Sequence, residues 1–190
     1  MESSLKPLSI VVIAGTKRVQ RESIHAARFV AEFGRSRPGV QVTFVDPDDF
    51  NLPGDGNDPE GKDPRYTAIT EAADAFFIVT PEYNHSFPGS LKRLLDSELA
   101  NYNHKPVALA GASSGHWGGV RAVEALVGTV REMGLVVTAY DVYFPMVQDL
   151  FDADGAPLAE TVERYAHSIG RAYDELEWFA GILREARIAR

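Results

Sequence analysis

The chain contains no cysteine. Thiol nucleophiles, cysteine-held iron–sulfur clusters, cysteine-ligated zinc and disulfide staples are therefore excluded, and whatever chemistry the protein performs has another source. Histidine is scarce too: five are present, no two stand four residues apart, and no His–carboxylate set has ligand spacing, so no metal is expected. Positive charge is in the minority, with 19 Lys and Arg against 27 Asp and Glu and a formal net charge of −8. Duplex affinity rests on cations neutralising phosphates, so a nucleic-acid partner is not expected. Long apolar runs are missing: nothing approaches the ~18 consecutive apolar residues that span a bilayer. No N-terminal segment joins a basic start to an apolar block. The sequence thus reads as a soluble, unexported, cytoplasmic protein with no membrane partner.

What is present is 190 residues with 45% apolar content, enough for the core of a single domain over 1–190. Residues 8–14, LSIVVIA, form a β-branched run stopped by Gly15, as a buried parallel strand does. From Ser23, Ile24, Ala27, Phe29, Val30 and Phe33 follow helical spacing until Pro38-Gly39. Residues 40–46 give a second strand. Asp46 to Pro64, with seven acidic residues, one lysine and four prolines, reads as a turn-rich loop. Its DPDDFNLPGDGND stretch lacks the ligand spacing of a calcium hand, and FDADG at 151–155 reads as a turn. Tyr66–Ala73 predicts a short helix, residues 75–80 a third strand, and Pro88 the start of a helix bearing Leu91, Leu94, Leu95 and Leu99. Residues 105–113 predict strand four, 120–133 a helix, and 135–143 strand five. From Pro157 onward Leu158, Val162, Tyr165, Ile169, Ala172, Leu176, Phe179 and Leu183 mark one long amphipathic helix. Alternating strands and helices imply α/β class: a parallel sheet covered on both faces.

Ligands of such sheets lie beyond the carboxyl ends of the strands. Three loops meet that condition. Residues 14–23, AGTKRVQRES, carry hydroxyls at Thr16 and Ser23 and cations at Lys17, Arg18 and Arg21 where a helix begins, which suits an anion. The plainer reading is a solvated basic turn with Ser23 as a helix cap. Neither G-x-G-x-x-G nor G-x-x-x-x-G-K-[ST] occurs, so a simple phosphomonoester fits better than a dinucleotide. The second loop gathers Glu82, Tyr83, Asn84, His85 and Ser86 between Pro81 and Pro88; Tyr83 can stack on a planar ring, or Asn84 and Ser86 can merely cap the next helix. The third, Ser113-Ser114-Gly115-His116-Trp117-Gly118-Gly119, has three glycines that let backbone approach a flat ligand, with Trp117 or His116 placed to cover it, or is simply a flexible turn.

These residues resemble the NADPH-dependent FMN reductase family of flavodoxin-like proteins over roughly residues 8–150. Its phosphate loop, G-[ST]-x-R with a following serine, is matched by Gly15, Thr16, Arg18 and Ser23. Its P-E-Y-N-x-S-x-P-G-x-L-K box is matched by Pro81, Glu82, Tyr83, Asn84, Ser86, Pro88, Gly89, Leu91 and Lys92. Its G-G-x-R-A motif appears as Gly118, Gly119, Arg121 and Ala122. The resemblance implies a five-stranded flavodoxin-like sheet of order 2-1-3-4-5 and an FMN cofactor. The phosphate would be held by Gly15, Thr16, Arg18 and Ser23 with Arg21 beside them. The isoalloxazine would lie near Pro81, Glu82, Tyr83, Asn84 and His85, with Gly118, Gly119, Arg121 and Ala122, and Ser113, Ser114 and Gly115 ahead of them, at its pyrimidine side and Trp117 placed to cover its face. Arg21 and the bulky His116-Trp117 depart from the family's usual small residues.

The implied cycle takes hydride from NADPH or NADH and then passes electrons to a small oxidised acceptor such as a quinone, with the flavin supplying the chemistry. No catalytic side chain is demanded, although histidines such as His85 and His116 are of the type that can protonate a quinone oxygen near neutral pH. The competing readings are a non-enzymatic FMN electron carrier, whose phosphate loop would carry fewer cations, and a flavin redox sensor. Trp178, Phe179, Ile182 and Leu183 add apolar surface to the last helix, and with the family's habit suggest a homodimer or a dimer of dimers.

Overall fold

Leu8–Ala14 form the interior strand β1 because β-branched side chains suit a pleat covered on both faces, where polar alternation is not needed. In the computed structural model of the protein, which describes residues 6–189, β1 pairs in parallel with β2 (Val40–Val45) and β3 (Ala75–Pro81). Residues 1–5 and 190 of the expected 1–190 unit lie outside the described residues. β4 (Pro106–Ala112) follows β3, and two short strands, β5 (Val136–Val137) and β6 (Val142–Phe144), share its far edge. The sheet order is 2-1-3-4-5, that of a flavodoxin-like doubly wound fold.

Period-two alternation splits each strand between two cores. Ile10, Val12 and Ala14 face α1 (Ser23–Arg35) and α5 (Ala159–Ile188), while Val11 and Ile13 face α2 (Pro64–Ala72), α3 (Gly89–Asp96) and α4 (Val120–Glu132). α5 runs for about 45 Å at 1.5 Å per residue. The Tyr173 hydroxyl donates to the Val30 carbonyl at 2.9 Å, and Arg37 pairs with Asp174 and Glu177, fixing α5 to the end of α1.

The fifth strand departs from expectation. Residues 135–143 do not form one strand, because the amides of Ala139 and Tyr140 donate to the Glu175 carboxylate of α5, at 2.7 and 3.3 Å, and are lost to the ladder. The Asp46–Pro64 connection is a loop with two short 3-10 turns, Pro47–Asp49 and Pro59–Gly61. It folds around the Arg93 guanidinium, which donates to the carbonyls of Pro53, Gly56 and Gly61.

Asp63 closes this loop by accepting the Arg65 amide at 3.0 Å, capping α2. The Arg65 side chain, bonded to the same carboxyl, lowers its pKa to about 2. A carboxyl depressed below its unfolded value stabilises the fold above about pH 4 and loses that contribution as pH falls towards 2. Because Arg65 is largely exposed, Asp63→Ala is expected to cost only about 1–1.5 kcal/mol at pH 7. Urea unfolding of both proteins at pH 7 and pH 3 checks this, the gap being smaller at the lower pH.

Candidate functional site

β1, β3 and β4 deliver their carboxyl ends to one rim of the sheet, where a cavity of about 300 Å³ opens. Arg18, Arg21 and Ser23 line it from the loop after β1, Pro81, Glu82 and Tyr83 from the end of β3, and Ser113 and Ser114 from the end of β4. Eight residues singled out in sequence are therefore brought together. Gly15, Thr16, Asn84, His85, Gly115 and Trp117 stand outside this lining, and each has an identifiable place.

Gly15 joins the first loop to the sheet: its amide donates to the Val79 carbonyl at 2.8 Å. Thr16 is buried, and its hydroxyl lies 3.2 Å from the Tyr83 hydroxyl while accepting the Arg18 amide at 3.2 Å. Thr16 thus ties the first loop to the second. The Arg18 guanidinium lies 6.0 Å from the Tyr83 ring centre, within cation–π range. Arg21 pairs with Asp46, so its charge is already met by a carboxylate. Ser23 does not cap α1: Glu22 occupies the cap position and no side chain bonds there, leaving the leading amides of the helix without a side-chain acceptor. The plainer reading of Ser23 is corrected accordingly.

The second loop is a tight turn in which Tyr83 and Ser86 exchange backbone hydrogen bonds at 2.8 and 3.0 Å. Asn84 at φ 50° and His85 at φ 64° both take the left-handed conformation, the type I′ pattern that favours Asn-Gly. Neither Asn84 nor Ser86 caps α3, whose cap position is Pro88. His85→Gly is expected to raise stability by roughly 0.5–1 kcal/mol, the relief of left-handed strain less glycine's entropy. Thermal unfolding measures the gain, and an unchanged acceptor-reduction rate would remove His85 from proton transfer.

Glu82 is held from the third motif. Its side chain is 7% exposed, and Oε1 accepts from Arg121 Nε at 2.6 Å and Nη2 at 2.5 Å. Its Oε2 is buried with no partner.

The third loop shows a packing requirement for two of its glycines. Gly118 and Gly119 are buried at φ 61° and 85°, and they pack against backbone: a Cβ on Gly119 would lie 2.5 Å from the Ala112 amide, and one on Gly111 2.6 Å from the Gly118 carbonyl. Only Gly115 of the three is open. His116 and Trp117 are not part of the cavity lining, Trp117 being 69% exposed. The residues missed in sequence are Gln20, Glu22, Ala112, Val147 and Gln148, which complete the lining. The last two follow β6. The rule that ligands sit at carboxyl strand ends covers that position as well, since Val147 and Met146 are stitched to Ser113 and Gly115 by backbone bonds of 3.1 and 3.2 Å.

Fold and site together define a flavodoxin-like α/β protein whose cleft joins a cation-bearing, open helix start to a polar rim suited to a flat ring. Comparison with known proteins carries this to a family. Residues 8–149 match the model of the NADPH-dependent FMN reductases, and the chain belongs to that family. It is 32% identical over 174 residues to a probable NADPH:quinone oxidoreductase 2 of rice, covering 82% of each chain. It is 29% identical over 156 residues to an NAD(P)H-dependent FMN reductase of Pseudomonas aeruginosa, covering 78% of this chain and 83% of that one. Among solved structures, the FerB flavoenzyme, an NAD(P)H:acceptor oxidoreductase of Paracoccus denitrificans, superposes with a TM-score of 0.72 at 20% identity, covering 90% of this chain and 97% of its own. An archaeal flavodoxin gives 0.58 at 15% identity, with 90% and 99% covered. The protein is an oxidoreductase of the NAD(P)H-dependent FMN and quinone reductase type. No helix among the described residues is long and apolar enough to cross a membrane.

Proposed function

We propose that this chain holds FMN in the cleft at the ends of β1, β3 and β4 and takes electrons from NADPH or NADH to a quinone-like or other small oxidised acceptor in a two-stage, ping-pong cycle. The observation that carries the reading is the joining of the three loops around one cavity. The donor set suits the cofactor: the uncapped start of α1 and the Arg18 guanidinium offer donors to a phosphate. At the other end, Pro81–Tyr83 and Ser113–Ser114 present two strand termini between which a planar ring can lie. Glu82, with one carboxylate oxygen unpartnered, supplies an acceptor for a ring N–H.

Bound FMN supplies the two-electron carriage. The chain's own part is to bind, orient and shield. Thr16 and Tyr83 hold the phosphate and ring loops in fixed relation, and the backbone bonds of Ser113 and Gly115 to 144–147 fix the third wall. Asn84, His85, Gly115 and Trp117 border the cleft instead of lining it. The whole of 1–190 is proposed to act as one domain, and as a homodimer through α5, where Trp178 and Ile182 are 62% and 47% exposed.

The test is an absorbance spectrum after FMN addition and desalting, followed by anaerobic NADPH or NADH and then a quinone. Near-stoichiometric retention, rapid bleaching and reoxidation by the quinone are expected. Retention without bleaching would instead favour an electron carrier or sensor, and no retention would remove the cofactor from this cleft. Light scattering reports the dimer.

A further inference from the structure

On the outer side of the 17–22 loop lies a second cavity, of about 500 Å³, distinct from the first. Lys17 and Arg18 enter it from the loop, and His25 and Arg28 from one face of α1, where positions three apart are neighbours. Cations without a carboxylate partner occur elsewhere among the described residues, as at Lys6, Arg131, Arg164 and Arg171, but here three of them, Lys17, Arg18 and Arg28, line one cavity. Across the molecule Arg21, Arg37, Arg65, Arg121, Arg184 and Arg187 are each met by a carboxylate. Lys17 and Arg28 have no ion pair or side-chain hydrogen bond among the described residues, and Arg18 only faces the Tyr83 ring. The cavity also holds Arg21, neutralised by Asp46, and two carboxylates, Glu22 and Asp48. In a chain of net charge −8, unpaired cations gathered around a hollow carry a cost in self-repulsion that an anion relieves.

We propose that this cavity is a site for a second phosphomonoester, the 2′-phosphate of NADPH, and that Lys17 and Arg28 set the preference for NADPH over NADH. The inference rests on the reductase reading above and deepens it. Two features favour this ligand. The cavity shares Arg18, Gln20, Arg21 and Glu22 with the cleft, so a donor lying over the cleft's phosphate end reaches it without crossing the sheet. A dianion also suits an ammonium and a guanidinium that converge from separate elements, the guanidinium offering paired donors to its oxygens.

The test uses the FMN-loaded protein and its Lys17→Ala and Arg28→Ala variants, singly and together. Steady-state kinetics give kcat/KM for each nucleotide, and calorimetry gives affinities for 2′,5′-ADP, 5′-AMP and inorganic phosphate. The wild type is expected to bind 2′,5′-ADP at least tenfold tighter than 5′-AMP or phosphate. The double variant is expected to lose about tenfold in kcat/KM for NADPH, most of it in KM, and to stay within twofold for NADH. Equal losses for both donors would show a general field and overturn the proposal. So would equal affinity for 2′,5′-ADP and 5′-AMP, or phosphate binding as tight as that of 2′,5′-ADP, which marks a free-phosphate site. If neither donor is oxidised while the variants still lose 2′,5′-ADP affinity, the reductase reading fails and the site stands.

Discussion

Gly15→Ala is expected to abolish flavin retention and to lower the melting temperature by roughly 6–12 °C, the equivalent of about 3 kcal/mol in a chain of this length. The glycine ends β1 against the middle of the sheet. A Cβ there would lie 2.6 Å from the Thr80 Cα, 2.8 Å from the Val79 carbonyl and 3.0 Å from Pro81 Cδ. Two of the three are main-chain atoms of β3, held on both sides by the ladder, so they cannot yield as the end of a flexible side chain does. The first loop must move instead, and with it Thr16, Arg18 and Ser23. Gly128→Ala is the control: Gly128 sits within α4 with nothing within 4 Å of its would-be Cβ, and alanine there should add about 0.5–1 kcal/mol and leave flavin retention intact. Melting curves and a desalted flavin spectrum on both variants decide the matter. A Gly15→Ala protein that melts like the wild type would show that β3 yields after all.

The second large effect is expected at Glu82. Removing Arg121 leaves a carboxylate that is 7% exposed without its ion-pair partner, and breaking a buried pair from one side is costly. Arg121 is itself 44% exposed, so water enters the gap and reduces the cost. Arg121→Met should therefore destabilise by about 2 kcal/mol, below the range for fully buried pairs. Glu82→Gln in the Arg121→Met background should recover most of that loss, because the charge is gone. A double-mutant cycle by urea unfolding tests this, and additive losses would show that the pair is not coupled. Flavin affinity should follow a different order: both the single Glu82→Gln variant and the double variant should be weakened, because a neutral amide replaces the carboxylate whose unpartnered oxygen is proposed to accept a ring N–H.

Much of this molecule is legible along the chain. The apolar run of β1, the fully buried β3 and β4, and the amphipathic spacing of α1, α4 and α5 all appear where periodicity places them. Parallel order is the expectation, because regularly alternating strands and helices supply the long crossovers that parallel pairing needs. The loops after β1, β3 and β4 are identifiable as a cleft by the rule of carboxyl strand ends, and their motifs lead to the family. The fourth contribution, Val147 and Gln148, is hidden by the broken fifth strand, whose end cannot be located without knowing where the ladder resumes at Val142.

By itself, then, the sequence determined the elements, their order and the loops that meet at one rim, since these depend on side-chain period and on turn residues close together in the chain. Tertiary structure alone decided how those loops are held and which charges remain free. Arg21 meets Asp46 across 25 residues, Glu82 meets Arg121 across 39, and Glu175 takes the amides that would have continued β5 across 36. The paired glycines of the third loop serve backbone contact with β4. Lys17 and Arg28 come to line one cavity only once the loop after β1 is folded against α1. Such pairings are settled by distance in the folded state, where a side chain's partner is whichever opposite charge or close backbone the packing brings within reach, and no local pattern in the chain records that choice.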